Sequence, residues 1–468
     1  MNELLNNIEN QNQFPKTTDE EGYIYPEDPL VKQNLLSWQN DKFGVLIHMG
    51  LYSTLGICES WGLCPEDEEW IPREGFSNYY DYYNYYNNTI NLFNPIKFDS
   101  GKLAKIIKKS GAKYVIFSSK HHDGFCLFNS KYTDFKVTAN NCPYHSSKKP
   151  DLLKDVLDAC RNEGLKVGIY FSKPDWHSDY FWWKYFPPKD RNPNYNITKH
   201  KERWQKFIEF THNQIKELTS NYGHIDILWL DGCWIRPLNT INERVKEFCN
   251  YPYDLDINID KIAEEARKNQ PGLIIVDRWV QGKYENYLTP ERKIPDRPLS
   301  VPWESCITMG NAWGYVPNDI YKSSEEIISL LIDIIVKGGN LLLGFGPNGN
   351  GELNLKIYEN LEEIGSWIEK NSEAIYGSTP YPPFKEDNMA YVTNNNSIYI
   401  FYLNDKNSNQ NIDQITIKLN TSKLYKVRIL NYQSEINYKH YGNSYNIFVD
   451  NNLREFINKN KIITFKFF

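Results

Sequence analysis

Residues 225–232 read Ile225-Asp226-Ile227-Leu228-Trp229-Leu230-Asp231-Gly232, a short apolar run that ends in a carboxylate and a glycine. A run of this length and composition, closed by a turn residue, predicts a buried β-strand. The comparable strand-like runs cover residues 43–48, 114–119, 166–172, 225–231, 273–278 and 340–344. Amphipathic helical patterns separate them, which is typical of a parallel sheet with crossover helices. We therefore predict an α/β protein with a (β/α)8-type catalytic barrel, two of whose eight strands are not visible in the sequence.

The pattern changes near residue 379. Short runs separated by Asn, Asp and Ser turns follow at residues 389–393, 397–403, 414–419, 426–430, 445–449 and 462–467, which predicts a small C-terminal all-β domain, a β-sandwich. The prolines of 378–383 prevent the preceding helical pattern from resuming. The predicted organisation is a lead segment at 1–35, a catalytic domain at 36–377 and a β-sandwich at 378–468.

Composition restricts the class of partner. The net charge of −6, with scattered basic residues, argues against nucleic acid, and no apolar run approaches the roughly 20 residues that span a bilayer. The N-terminus lacks the features of a secretory signal, so we expect a cytoplasmic protein, and the eight cysteines include no CxxC pair, so reduced thiols are expected. Aromatic residues make up 15% of the chain. Two explanations are open: stacking surfaces in a cleft, or a biased amino-acid composition. A homo-oligomer is left open.

The residues that follow the predicted strands are polar, and in a parallel barrel the chemistry lies at those ends. Asp231 is the sharpest candidate, because a carboxylate at the tip of an apolar strand is held rigidly; a loop-capping role is the alternative. Glycoside hydrolysis needs a second carboxyl group nearby. Glu285, Glu291 and Glu304 all follow the strand that ends at Arg278, and each could reach.

His121, His122 and Asp123, with His48, suggest a metal site as an alternative. Adjacent residues of an extended segment point to opposite sides, and neither a spaced histidine pair nor a cysteine pair supports it. Sugar binding is favoured instead, because hydroxyl groups need several fixed donors and acceptors. His48, His121, His122, Tyr170 and Arg278 would provide them, although any single histidine could be structural. No metal or cofactor is predicted.

Several blocks, in this order, carry a family resemblance. They are 42–53, 111–114 with 120–125, 168–172, 229–232, 277–279, 303–304, 313–315 and 338–342. On these motifs, residues 35–380 resemble the α-L-fucosidases of glycoside hydrolase family 29. Two departures from the family pattern are Met49, where Trp is common, and Gly344-Phe345-Gly346-Pro347, where Asn-Ile-Gly-Pro is usual.

The resemblance implies a substrate and roles for individual residues. The substrate would be a fucosylated oligosaccharide or glycoconjugate, hydrolysed with retention and without a cofactor, and Asp231 would be the nucleophile. The positions that match fucose-binding residues are His48, His121, His122, Tyr170, Trp229 and Arg278, while Glu69 and Trp70 resemble a pair that closes over the sugar. Glu291 and Glu304 each match an acid/base position, with a slight preference for Glu291. A fucose-binding relative without catalysis and an α-L-galactoside hydrolase stay open as alternatives.

Overall fold

The computed structural model describes residues 20–71, 73–246, 252–404, 412–421 and 423–468. The first seven strands are β1 (Phe43–Ile47), β2 (Tyr114–Lys120), β3 (Lys166–Ser172), β4 (Ile227–Asp231), β5 (Ile274–Asp277), β6 (Glu304–Thr308) and β7 (Asn340–Phe345). The helices around them are α1 (Pro29–Asp41), α2 (Leu51–Leu55), α3 (Tyr79–Asn88), α4 (Ser100–Lys109), α5 (Leu152–Asn162), α6 (Lys201–Asn221), α7 (Glu243–Lys246), α8 (Ile259–Asn269), α9 (Ser324–Ile335) and α10 (Leu355–Ile375).

These seven strands form one parallel sheet in the order β5-β4-β3-β2-β1-β7-β6. Nearly every strand residue is buried, as expected when helices cover one face and the sheet curls around its own side chains on the other. The predicted barrel-type α/β fold is confirmed. The described residues contain seven parallel strands, however, where eight were expected.

Irregular backbone joins the edges of the sheet in place of an eighth strand. The segment 284–292 hydrogen-bonds to both edges of the sheet. On one side Asn286 N donates to Ile275 O of β5 at 3.1 Å, and on the other Glu304 N of β6 donates to Leu288 O at 2.8 Å. The segment therefore joins the two edges of the curled sheet without forming a regular strand.

The described residues of the C-terminal region form two antiparallel sheets and one helix. The strands are β8 (Thr379–Glu386), β9 (Met389–Asn394), β10 (Ser397–Leu403), β11 (Gln414–Lys418), β12 (Val427–Ile429), β13 (Asn437–Tyr441), β14 (Ser444–Phe448) and β15 (Ile462–Phe467). Their orders are β12-β15-β10-β9-β8 and β11-β14-β13. The prolines of β8 lie on an edge strand, where a missing N–H is tolerated. Helix α11 (Asn451–Lys459) was not predicted; Asp450 caps its first turn.

The five-stranded sheet has two buried faces. Val392 and Phe401 belong to the core of the parallel domain, while Tyr391 and Ile400, their neighbours in sequence, belong to the core between the two antiparallel sheets. Successive strand residues point to opposite faces, so one sheet serves both cores. The precise residues that separate the domains stay a prediction.

The cysteines and the helices add two findings. The seven cysteines in the described residues are free and buried, and Cys249 lies outside those residues. None of the helices in the described ranges combines the length and apolar character needed to cross a bilayer.

Candidate active site

Four of the predicted site residues lie at the C-terminal ends of strands of the parallel sheet. His48 follows β1, Tyr170 lies near the end of β3, Asp231 ends β4 and Arg278 follows β5. Parallel strands present these ends on the same side of the sheet, so the side chains converge. Tyr170 and Asp231 are in direct contact: the tyrosine hydroxyl donates to Asp231 Oδ2 at 2.7 Å.

Arg278 joins two carboxylates. Its Nη1 donates to Asp231 Oδ1 at 2.8 Å, and its Nη2 donates to Glu291 Oε2 at 2.7 Å. The guanidinium carbon lies 4.5 Å from the ring centroid of Trp229, which supports it from the barrel interior. The Asp231 and Glu291 side chains are 18% and 15% exposed, against 6% for Arg278, so both carboxylates are reachable from solvent.

The electrostatics around Asp231 favour its charged form. Burial alone would raise the pKa of this carboxyl group, but the Arg278 guanidinium and the hydrogen bond from Tyr170 hold the pKa well below its usual value. Asp231 is therefore ionised at neutral pH, the state that a carboxylate nucleophile requires.

His122 faces Asp231 as a neutral acceptor. Burial lowers the pKa of His122 to about 3. Its Nδ1 lies 2.7 Å from Ser172 Oγ, and that hydroxyl donates its only hydrogen to Pro174 O at 2.7 Å. With the serine hydrogen on Pro174 O, the Ser172 oxygen accepts from Nδ1–H, and the His122 Nε2 lone pair is free to accept. Nε2 is 3.8 Å from Asp231 Oδ2, at the edge of the pocket.

His48 and His121 extend this neutral wall. Burial holds the pKa of each well below the ordinary value for histidine. His121 Nδ1 lies 2.5 Å from Ser60 Oγ, and the His48 ring centroid lies 5.0 Å from that of Tyr170 and 5.8 Å from that of Trp313. Neutral imidazoles act here as hydrogen-bonding groups, which suits an uncharged sugar.

The loop after β1 contributes a tryptophan to the site, and the closure of Glu69 and Trp70 over a sugar stays a prediction. Trp61, which was not predicted, has its ring centroid 4.9 Å from that of His122. The Trp70 ring centroid lies 6.1 Å from that of Trp61, and Glu69 is exposed. The aromatic wall beside His122 therefore consists of Trp61 together with Trp176 and Trp234, whose ring centroids each lie 5.2 Å from that of His122.

Two of the three candidate second carboxyls are turned away from the pocket. Glu304 begins β6 and is fully buried, where it accepts from the Tyr114 hydroxyl at 2.5 Å; burial raises its pKa to about 7. Glu285 accepts from the backbone N–H of Trp279 at 3.0 Å, and burial raises its pKa to about 8. Of the three, Glu291 is the one that shares Arg278 with Asp231.

Asp123, the acidic member of the possible metal site, has other partners. Tyr86 donates to its Oδ2 at 2.7 Å and Phe125 N donates to its Oδ1 at 3.1 Å. In the part of the chain that the structure describes, the side chains close enough to share one ion are instead Cys64, Glu66 and Asp67. Both of those carboxylates pair with Arg191.

Paired carboxylates at the mouth of a parallel barrel, beside neutral hydrogen-bonding groups and tryptophan rings, are the arrangement expected of a glycoside hydrolase. The sequence comparisons specify which one. The family model for α-L-fucosidase matches residues 11–373. The chain therefore belongs to the α-L-fucosidase family.

Individual relatives agree with that assignment. The chain is 28% identical to an α-L-fucosidase of Dictyostelium discoideum over 399 residues, which cover 80% of this chain and 79% of the relative. It is 29% identical to plasma α-L-fucosidase of Homo sapiens over 361 residues, with 75% and 71% covered.

Solved structures also match. α-L-Fucosidase isoenzyme 1 from Paenibacillus thiaminolyticus superposes with a TM-score of 0.73 at 27% identity, over 94% of this chain and 99% of that one. The Thermotoga maritima α-fucosidase in complex with fucose gives a TM-score of 0.69 at 26% identity, over 92% and 96%. The fold and family named from the sequence motifs are thereby confirmed.

Proposed function

We propose that this protein is a retaining exo-α-L-fucosidase in which Asp231 is the nucleophile and Glu291 is the acid/base. The observation that carries the proposal is the bridge made by Arg278, whose two terminal nitrogens each bind one of these carboxylates. Two hydrogen bonds to one guanidinium limit the separation of the two carboxyl groups. Retention needs carboxyl groups about 5 Å apart, whereas inversion needs a wider gap that admits water between them.

In the first step Asp231 attacks the anomeric carbon of the fucoside while Glu291 donates a proton to the departing glycosidic oxygen. The carbon–oxygen bond to the leaving group breaks and an ester bond to Asp231 forms. Charge moves from the Asp231 carboxylate, which becomes neutral, to the Glu291 carboxyl group, which becomes negative. Arg278 contacts both groups, so its positive charge stabilises the system before and after the transfer.

In the second step Glu291 takes a proton from water, and the water oxygen attacks the same carbon and displaces Asp231. Two displacements at one carbon return the original configuration. The Arg278 bridge is restored to its starting state, with Asp231 negative again.

The neutral residues supply recognition. His48, His121 and His122 would bind sugar hydroxyls, and the free lone pair at His122 Nε2 can accept from one of them. Trp61 and Trp234 present ring faces and edges next to His122, which suit the apolar C–H surface of a pyranose. The substrate class that fits is a fucosylated oligosaccharide or glycoconjugate with a terminal α-L-fucosyl group.

The test is hydrolysis of 4-nitrophenyl α-L-fucoside, with the first-formed sugar identified by proton NMR before it mutarotates. We expect release of 4-nitrophenol and α-L-fucose as the first product. First-formed β-L-fucose would contradict retention. Binding of L-fucose without any turnover would instead favour a non-catalytic relative, and preferential turnover of the α-L-galactoside would change the substrate.

A further inference from the structure

Arg191 lies on the loop after β3 and reaches the loop after β1. Its backbone N–H donates to Glu66 Oε1 at 3.2 Å, and its Nε donates to the same oxygen. Its Nη2 lies 3.6 Å from Asp67 Oδ1. The two carboxylates, which are close enough with Cys64 to suit a cation, are thus already matched by a guanidinium, and the two loops are joined.

The backbone oxygen of Arg191 reaches further residues around the pocket. The indole Nε1–H groups of Trp176 and Trp234 both donate to it, each at 3.2 Å. A carbonyl oxygen has two lone pairs, so it can accept both bonds. Because Trp234 follows β4, Arg191 connects the loops after β1, β3 and β4.

The guanidinium of Arg191 also lies against two of the pocket rings. Its carbon is 5.7 Å from the Trp61 ring centroid and 5.4 Å from that of Trp234, within the range of cation–π attraction. Trp61, Trp176 and Trp234 are the tryptophans whose rings lie beside His122, at 4.9, 5.2 and 5.2 Å. Arg191 contacts all three.

We propose that Arg191 is a positioning residue whose side chain fixes the tryptophan wall of the fucose pocket, through its ion pairs with Glu66 and Asp67 and its cation–π contacts with Trp61 and Trp234. The inference rests on the proposed function. An aliphatic side chain at this position would leave Glu66 and Asp67 without their cation and would release Trp61. The tryptophan wall would then be less ordered in the free protein. Part of the binding free energy of the sugar would be spent on ordering it, so the affinity would fall.

The test compares Arg191→Met with a matched variant, Arg203→Met. Arg203 also pairs with an aspartate, Asp179, at 2.9 Å and also lies over a tryptophan, Trp183, at 4.0 Å, but that ring is not beside His122. We expect Arg191→Met to raise KM for 4-nitrophenyl α-L-fucoside and Kd for L-fucose about tenfold, with kcat within about threefold of wild type. Arg203→Met should leave all three constants near the wild-type values.

Arg191→Lys keeps the charge but cannot reproduce the planar fork, so an intermediate rise in KM is expected. That variant decides the question if Arg191→Met does not fold. Unchanged KM and Kd in the folded variants, or equal losses in Arg191→Met and Arg203→Met, would overturn the inference while leaving the proposed function intact. A wild type that neither hydrolyses the substrate nor binds L-fucose would instead remove the proposed function and this inference with it.

Discussion

Glu291 and Glu304 both adjoin β6, but at different levels of the barrel. Glu304 begins the strand and points into the interior, where the Tyr114 hydroxyl binds it and burial raises its pKa to about 7. Glu291 lies beside Cys306, further toward the C-terminal end of the strand, and its carboxylate binds Arg278 near the surface. Depth along a strand therefore separates a carboxyl group of the core from one that can meet substrate.

The largest effect is expected for substitution of Asp231, the carboxylate that Arg278 bridges to Glu291. Asp231→Ala removes the covalent route, so kcat for the aryl fucoside should fall by at least about a thousandfold while L-fucose still binds. Added azide should restore turnover by attacking the vacated face and should yield the β-L-fucosyl azide. High residual activity without azide would contradict the role of Asp231.

The next effect separates the two glutamates directly. Glu291→Gln cannot donate a proton, so kcat on a natural fucosyl linkage should fall by about a hundredfold to ten thousandfold, and less on 4-nitrophenyl fucoside, whose leaving group needs little protonation. Glu304→Gln keeps the shape of the side chain inside the barrel and should change kcat by less than about tenfold. A larger loss of kcat in Glu304→Gln than in Glu291→Gln would contradict the roles proposed for the two glutamates.

The buried glutamate should be visible in the pH dependence of stability. Glu304 has a pKa of about 7 in the folded protein, against an ordinary value of 4.5. Between these two pH values the folded protein holds a proton that the unfolded chain has released. The stability that this retained proton adds is fully present below pH 4.5 and is lost as pH rises through about 7. The free energy of unfolding changes by roughly 3 kcal/mol over this range. Urea unfolding of both proteins across this range should show wild type losing stability relative to Glu304→Gln as pH rises.

That difference should survive in an Asp231→Ala background, because Asp231 is ionised throughout the range. Glu285 and Asp123, whose pKa values burial also raises, to about 8 and about 7, add to the decline, whereas the buried histidines, whose pKa values burial lowers, oppose it in both proteins. Equal slopes for Glu304→Gln and its parent would contradict the assignment of this proton to Glu304.

A third glutamate gives the smallest expected effect. Glu373, at the end of α10, accepts from Tyr399 at 2.8 Å and Arg428 at 2.9 Å on the C-terminal sheet, and its side chain is 38% exposed. Solvent screens such pairs, so Glu373→Gln should lower the free energy of unfolding by about 1 kcal/mol or less and leave kcat unchanged. A clear loss of activity would indicate that the C-terminal sheets do more than brace the parallel domain through the core they share with it.

The strands that were predicted from sequence are those with continuous apolar runs, such as residues 225–231 and 340–344. Strand β6 was missed because Ser305, Cys306 and Thr308 interrupt the apolar pattern. Its neighbour, the segment 284–292, could not be predicted because its hydrogen bonds run to two strands that are distant in sequence. Local pattern therefore identified the sheet but not how its edges are joined.

The site shows the same division between local and spatial information. The residues at strand ends can be predicted from the sequence. This is why His48, Tyr170, Asp231 and Arg278 were predicted to lie close together. The loop after β1 contains two acidic and aromatic combinations, 59–61 and 69–70, and only the folded backbone shows that Trp61 is the one beside His122. Arg191 carried no sequence signal, since its partners come from three loops.

The irregular segment 284–292 has an evolutionary consequence. A regular strand cannot gain or lose one residue without turning its side chains to the other face. A stretch of irregular backbone can change length with less disturbance, and loops of this kind tolerate insertion and deletion. If Glu291 is the acid/base, as proposed, its position along the chain can therefore change over generations, while the proposed nucleophile Asp231 is held in place by β4.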